Sequence, residues 1–260
     1  WDTKEKIWTV PLAWPACLAL RAEFSDGLIV GPRLKKWAAE EAARKKTLIG
    51  MRPLLTDEGS SPLPDLLGFD SLFDHQRVDA RAIAYARRYL LLNETGTGKS
   101  RSALAGAALI EHNGNQIFPM LIIAPKSMLV TWSREIEGFF SDLDVRVCQG
   151  TPAVVRDRIA PGGDVYIVGW DSVRRYSKLA HYGNLARKDE DKVDKELQKI
   201  PFRTAIVDEI HRGKNGESQR TRAVWEATAS CENVIGLTGT PVQDTPEDLW
   251  AILRLLLPEE

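Results

Sequence analysis

The sequence predicts an α/β fold, a doubly wound and mostly parallel sheet with helices on both faces, on three observations. From Phe69 onward, short apolar runs alternate with helix-period segments, the pattern of βαβ units. Leu90–Ser100, LLLNETGTGKS, reads as strand, Gly-rich turn and helix start. Thr204–His211, TAIVDEIH, is a β-rich run ending in two adjacent carboxylates. Open α/β sheets place ligands at the carboxyl ends of their strands, and every chemically distinctive motif here follows a strand end.

Residues 1–50 read as a small α+β accessory domain. KIWTVPLAW suggests a strand, and LALRAEFSDGLIVGPRLKKWAAEEAARKK suggests helix, turn and helix. Trp8, Trp14 and Trp37 stand here with Arg33, Lys35, Lys36, Arg44, Lys45 and Lys46 on or beside the second helix. Aromatics among cations suit nucleic acid, but a solvated charged helix face over a satellite core is the preferred reading, since amphipathic charged helices are common. Residues 51–68, rich in Pro, Gly and Ser, read as a linker, and 69–260 as the main lobe.

Within that lobe, SLFDHQRVDARAIAYARR is an amphipathic helix with Asp74 near its start. LLLNE is a strand feeding the Gly-rich turn, followed by the helix RSALAGAALI; MLIIAP is the next strand, and LVTWSREIEGFF its helix. VRVCQ and DVYIVGW are shorter strands, the second leading into DSVRRY. Residues 186–200, almost wholly charged, are expected to be a solvated, helix-prone insertion. TAIVDE, the helix QRTRAVWEATAS, the strand NVIGLTG and the helix EDLWAILRLLLPE complete the lobe.

Of 260 residues, 43% are hydrophobic, enough for a sizeable core. The net charge of −1 excludes a globally basic nucleic-acid binder, so such contacts must come from local patches. Cys17, Cys148 and Cys231 have no metal-like spacing and read as reduced thiols of an intracellular protein. No signal peptide or long apolar run is present, so neither export nor a membrane span is expected. The start at Trp1 suggests an excerpted polypeptide.

The chemistry concentrates in a few groups. In Thr95-Gly96-Thr97-Gly98-Lys99-Ser100 the glycines let backbone amides approach an anion at a helix N-terminus. Lys99 offers a point charge for β- and γ-phosphates, and the Ser100 hydroxyl suits Mg²⁺. Asn93 stands where the strict G-x-x-x-x-G-K-[ST] pattern has its first glycine. Asp208 and Glu209 at a buried strand's end need a cation, water or partner nearby. Beside a phosphate loop, Asp208 would hold Mg²⁺ and Glu209 would orient the attacking water. His211 is read as a link from this pair to the TGT turn. Lys126, Arg212, Lys214 and Asn215 follow strand ends on one expected edge of the sheet, placed for backbone contacts.

Together the motifs DHQ (74–76), ETGTGKS (94–100), LIIAPKSMLVTW (121–132), VDEIHRGKN (207–215) and LTGTPVQD (237–244) resemble the first RecA-like lobe of superfamily 2 helicases, specifically the Swi/Snf branch. The resemblance covers about three-quarters of the chain, 69–260, and includes the closing LWAILRLLLPE. It implies an ATP-binding P-loop lobe with Mg²⁺, in which Gln76 reads the adenine edge. Ala124–Ser127, with Lys126 and Ser127, and the residues after DEIH, with Arg212, Lys214 and Asn215, would contact a DNA backbone without sequence preference. Thr238, Gly239 and Thr240 would couple nucleotide state to strand grip. ATP in this family lies between two lobes, the second supplying arginine fingers. Nothing before Glu260 resembles that second lobe, so the chain as it stands is expected to be nearly inactive. The W-x-V-P-L start and LKKWA resemble the accessory domain of HARP-type annealing helicases. Rival readings are an RNA helicase of the DEAH type and a non-catalytic nucleic-acid-binding module. A GTPase or small-molecule kinase is disfavoured, because no N-K-x-D signature is present.

Overall fold

The computed structural model describes residues 14–56, 63–240 and 246–256. The chain divides into two compact units between Pro53 and Leu54. The first holds α1 (Trp14–Phe24), a 3₁₀ turn (Ser25–Gly27) and most of α2 (Pro32–Thr56). Pro32 starts α2, where its missing N–H has no intrahelical partner to lose. The six cations noted on the sequence all lie in α2, and the helix takes up the first six residues of the stretch read as a linker. The expected strand and the W-x-V-P-L start lie almost wholly outside the described residues.

The second unit holds α3 (Asp74–Ala86), β1 (Arg88–Leu91), α4 (Lys99–His112), β2 (Met120–Ala124), α5 (Leu129–Glu137), β3 (Val145–Cys148) and α6 (Pro152–Arg158). β4 (Val165–Gly169), α7 (Trp170–Tyr176), β5 (Thr204–Asp208), α8 (Gln219–Thr228), β6 (Asn233–Leu237) and α9 (Pro246–Leu256) follow. The sheet has six strands in the order β1-β6-β5-β2-β4-β3, and every pairing is parallel. Every residue of β2, β4 and β6 is buried, as continuous apolar strands covered on both faces require.

The two-residue period of each strand divides the core. Met120, Ile122, Ile206 and Ile235 pack with Ile83 of α3, Leu104 of α4 and Trp132 of α5. Leu121, Ile123, Val207 and Val234 pack on the opposite side with Val155 of α6, Val173 of α7, Val224 of α8 and Ile252 of α9. The result is a three-layer, RecA-like α/β/α unit.

Two expectations need correction. Residues 186–200 are not a solvated helix. They form short 3₁₀ turns at Asp189–Asp191 and Glu196–Lys199, and Leu197 and Ile200 enter the core. Asp191 is buried between Arg174 (3.1 Å) and Lys195 (3.7 Å). A run of charges conceals such pairs, because Arg174 comes from another element. The second correction is α6, which the sequence reading passed over. Its signal was Thr151-Pro152: the Thr151 hydroxyl accepts from the Val154 N–H (3.5 Å), and proline holds the first helical position.

Candidate functional site

The carboxyl ends of four neighbouring strands, β1, β6, β5 and β2, carry the sequence-singled motifs in spatial order. After β1 the chain enters the loop from Leu92 to Gly98. Gly96 and Gly98 adopt φ of 86° and 77°, in the left-handed region glycine tolerates, and Gly98 caps α4. The φ demands glycine at Gly98, and a Cβ there, 2.4 Å from Gln76 Nε2, would also displace the Gln76 amide. The Thr97 hydroxyl donates to the Glu94 carbonyl (2.8 Å), tightening the turn. Lys99 Nζ donates to the carbonyls of Asn93 (3.0 Å) and Glu94 (2.8 Å). Ser100 follows in the first turn of α4 and is half-buried.

α3 supports this loop from one side. Gln76, only 1% exposed, accepts the Phe73 N–H (3.0 Å) and donates to the Thr97 carbonyl (3.1 Å), with a longer contact to the Gly98 carbonyl (3.5 Å). Those bonds use one Oε1 lone pair and one Nε2 hydrogen at short distance, the other Nε2 hydrogen making the longer contact. His75 Nε2 also meets the Thr97 carbonyl (3.0 Å). One turn further along, Asp79 accepts from Asn93 and Ser102, two contacts that the sequence reading missed.

At the end of β5, two buried indoles hold Asp208. Trp132 of α5 donates to its Oδ2 (3.0 Å), and Trp170 of α7 donates to its backbone carbonyl (2.7 Å). Burial pushes the Asp208 carboxyl above the ordinary range, assisted by the charge of Glu209; the Trp132 bond and the nearby Lys99 charge pull it back. Glu209 sits at φ 51°, ψ 50°, a left-handed conformation that turns the chain sharply out of the strand. Its Oε2 lies 3.1 Å from His211 Nδ1, and the same nitrogen lies 2.9 Å from the Thr238 hydroxyl. Burial lowers the His211 pKa, which favours the neutral ring. Thr238, fully buried, donates its N–H to the Leu91 carbonyl (3.1 Å) and accepts the Thr240 N–H at its hydroxyl (3.1 Å). A Cβ on Gly239 would meet Thr95 Oγ1 at 3.0 Å, so the TGT turn lies against the phosphate loop. A continuous polar path therefore runs from Glu209 through His211 to the turn.

Ser100 and Asp208 are hard oxygen donors, a set that suits Mg²⁺ alongside waters and phosphate oxygens. Among the described residues no group of three or more His, Cys, Asp or Glu side chains is placed to hold a metal on its own. No described helix is long and apolar enough to cross a membrane.

The remaining sequence-singled residues form two groups. Lys126 and Ser127 lie exposed on the 3₁₀ turn that follows β2. Arg212, Lys214 and Asn215 follow β5 and line a cleft of about 390 Å³ with His211, Ser218 and Arg220. Arg220 was not picked out on the sequence. It sits on α8, where Arg220 Nη1 pairs with Asp171 (3.0 Å) and Nη2 reaches the Arg212 carbonyl (3.2 Å).

Comparison with known proteins agrees with this architecture. The chain is 29% identical over 180 residues to SWI/SNF-related matrix-associated actin-dependent regulator of chromatin subfamily A member 1 of Mus musculus, covering 65% of this chain and 15% of that protein. It is 31% identical over 173 residues to the ISWI chromatin-remodeling complex ATPase ISW1 of Saccharomyces cerevisiae, covering 65% of this chain and 14% of that protein. The chain thus spans about one-seventh of the length of these relatives. The structure of the Sulfolobus solfataricus SWI2/SNF2 ATPase core in complex with dsDNA superposes with a TM-score of 0.55 at 22% identity, over 71% of this chain and 35% of that one, a likeness of fold. The sequence model of the SNF2-related domain matches residues 37–260, beginning inside the stretch read as an accessory module. On that match, which takes in the phosphate loop, the carboxylate pair and the TGT turn, the chain belongs to the SNF2-related domain family.

Proposed function

We propose that the chain is the ATP-binding lobe of a DNA-dependent ATPase or translocase of the Swi/Snf type, completed by a second RecA-like lobe outside these 260 residues. The observation that carries this reading is the polar path Glu209–His211–Thr238, which joins the carboxylate pair to a turn packed on the phosphate loop. Such a connection suits a lobe that relays the state of its nucleotide to the rest of the site.

Each residue then has a defined task. Lys99 leaves the Asn93 and Glu94 carbonyls for β- and γ-phosphate oxygens, exchanging neutral acceptors for charged ones. Ser100 and Asp208 hold Mg²⁺, which neutralises charge developing on the phosphate oxygens. Glu209 orients the attacking water, and His211 transmits its position to Thr238, Gly239 and Thr240. Gln76 prefers adenine through the hydrogen-bonding capacity left after it supports Thr97. Lys126, Ser127, Arg212, Lys214 and Asn215 take a DNA backbone, so affinity is independent of sequence and falls with salt.

Calorimetry and a steady-state assay test the reading together. The chain is expected to bind Mg-ATP in preference to Mg-GTP, and to hydrolyse it very slowly even with DNA. An arginine from an opposing lobe is worth about 10³–10⁵ in rate in related phosphoryl-transfer machines. DNA-stimulated turnover by the chain alone near ~1 s⁻¹ or above would show that no second lobe is needed. Equal affinity for ATP and GTP would remove the role of Gln76. In the full-length protein, charge reversal at Lys126 and Lys214 is expected to weaken DNA binding; unchanged affinity would refute that surface.

A further inference from the structure

We infer that Asp79 is a positioning residue for the phosphate loop, acting through Asn93 and Ser102; the inference rests on the nucleotide reading above. Asp79 lies on α3 and is 9% exposed. One of its oxygens, Oδ2, accepts from Asn93 Nδ2 at 2.7 Å and from Ser102 Oγ at 2.9 Å. Asn93 stands just after β1, where the loop begins, and Ser102 lies in the first turn of α4, where it ends. A single oxygen therefore fastens both flanks of the loop. Gln76, one turn earlier on the same helix, holds its middle at Thr97 and Gly98.

The tether bears on Lys99 as well. The backbone carbonyl of Asn93 is one of the two acceptors of the Lys99 ammonium (3.0 Å). The same carbonyl oxygen lies 3.6 Å from where a Cβ on Gly239 would stand. Holding the Asn93 side chain thus sets the carbonyl that receives Lys99 and that faces the TGT turn. At this position the strict phosphate-loop pattern has glycine, which offers no side chain to hold. Here a side-chain tether defines the loop's entry instead.

A buried carboxylate is costly unless it is well bonded. Burial pushes the Asp79 carboxyl up, and its bonds to Ser102 and Asn93 oppose that shift. Both of those partners belong to the two ends of the loop, so the stabilisation of the charge and the shape of the loop are one interaction.

A charge-swap cycle on this chain provides the test, with Mg-ATP affinity read by calorimetry and the nucleotide-free melting temperature read beside it. Asn93→Asp places a second carboxylate against the first at a half-buried loop position. It is expected to weaken Mg-ATP binding about 10–100-fold, the scale of a close like-charge contact, and to lower the melting temperature, because the buried Asp79 carboxylate loses a donor and faces a like charge. Asp79→Asn combined with Asn93→Asp restores a donor facing an acceptor. That double variant is expected to return affinity to within about threefold of the original, a non-additive rescue. Asn93→Ala, which leaves Asp79 with Ser102, is expected to weaken binding about tenfold. Wild-type affinity in both Asn93→Asp and Asn93→Ala, or a double variant no better than Asn93→Asp, would overturn the role of Asp79. Failure of the unaltered chain to bind Mg-ATP is a different result. It would overturn the nucleotide reading, and this inference with it.

Discussion

On the β1 side of the site, the loop is shaped by side chains that reach in from α3, and its lysine rests on carbonyls of its own loop. On the β5 side, Asp208 is held by indoles of α5 and α7, which cover opposite faces of the sheet, and Glu209 by a left-handed turn and His211. The bonds of the first half lie where phosphate is proposed to sit, so a ligand must exchange at least those of Lys99. The bonds of the second half come from behind, through buried Trp132 and Trp170, and need no exchange. The difference teaches where rearrangement is confined: Lys99 exchanges its acceptors within a loop held by α3, and Asp208 is preorganised against the core.

The largest expected effect breaks the preorganised half. Trp132 is 1% exposed, and Trp132→Ala is expected to cost about 3–5 kcal/mol in urea denaturation, through cavity formation and loss of the bond to Asp208. Trp132→Phe keeps most of the volume and removes only the donor. Burial already holds the Asp208 carboxyl high, so losing this bond raises it further. The proton then competes with Mg²⁺ at higher pH. Titrations across acidic pH should show Mg-ATP binding failing earlier on acidification in Trp132→Phe than in the original chain. Coincident profiles would mean that the indole does not tune Asp208.

On the adaptive half, Lys99→Ala is expected to weaken Mg-ATP binding about 10–100-fold through loss of charge-assisted contacts. Its nucleotide-free denaturation midpoint should stay close to that of the original, because Lys99 is only half-buried. Unchanged Mg-ATP affinity would remove Lys99 from the phosphate site.

A smaller effect lies on the link between the halves. His211 is held below its ordinary value by burial, so the folded chain takes up its proton less readily than the unfolded one. The stability His211 contributes is present above the ordinary value near 6.5 and is lost as pH falls through the depressed folded one. His211→Gln should flatten that part of the stability profile, measured by denaturation from neutral to mildly acidic pH against the original chain. Parallel profiles would contradict the assignment.

The smallest effect is a control on all of these. Burial raises the thiols of Cys148 and Cys231 to about 12, while Cys17 is half-buried. At neutral pH, alkylation of the folded chain is expected at Cys17, with the other two reacting only on opening. Trp132→Ala should speed labelling of Cys148 and Cys231, and Lys99→Ala should not. Equal acceleration in both would mean that the two halves are not mechanically distinct.

Much of this molecule was legible in the chain. Apolar runs such as MLIIA and DVYIVG announce buried strands, and glycines, a lysine and a carboxylate pair at their ends announce a site, because period and turn chemistry are local. Less regular stretches misled for the same reason. The charged run 186–200 conceals the burial of Asp191, Leu197 and Ile200, which only packing against other elements produces.

The sequence by itself determined the parallel α/β class, the positions of five strands and the residues offered at their carboxyl ends, since each follows from neighbours within one or two turns; β1 lies at Arg88–Leu91, starting two residues before the expected LLLNE run and ending before Asn93. Only the tertiary structure decided that β6 lies between β1 and β5, bringing Thr238 to His211 and Gly239 to Thr95. The same holds for the bond from Trp132 to Asp208, across 76 positions of chain, and for that from Asn93 to Asp79, across 14. Such contacts carry no period and no local signature. They exist because two faces of one buried sheet must be filled by helices, and filling them sets which polar atoms are left within reach of one another.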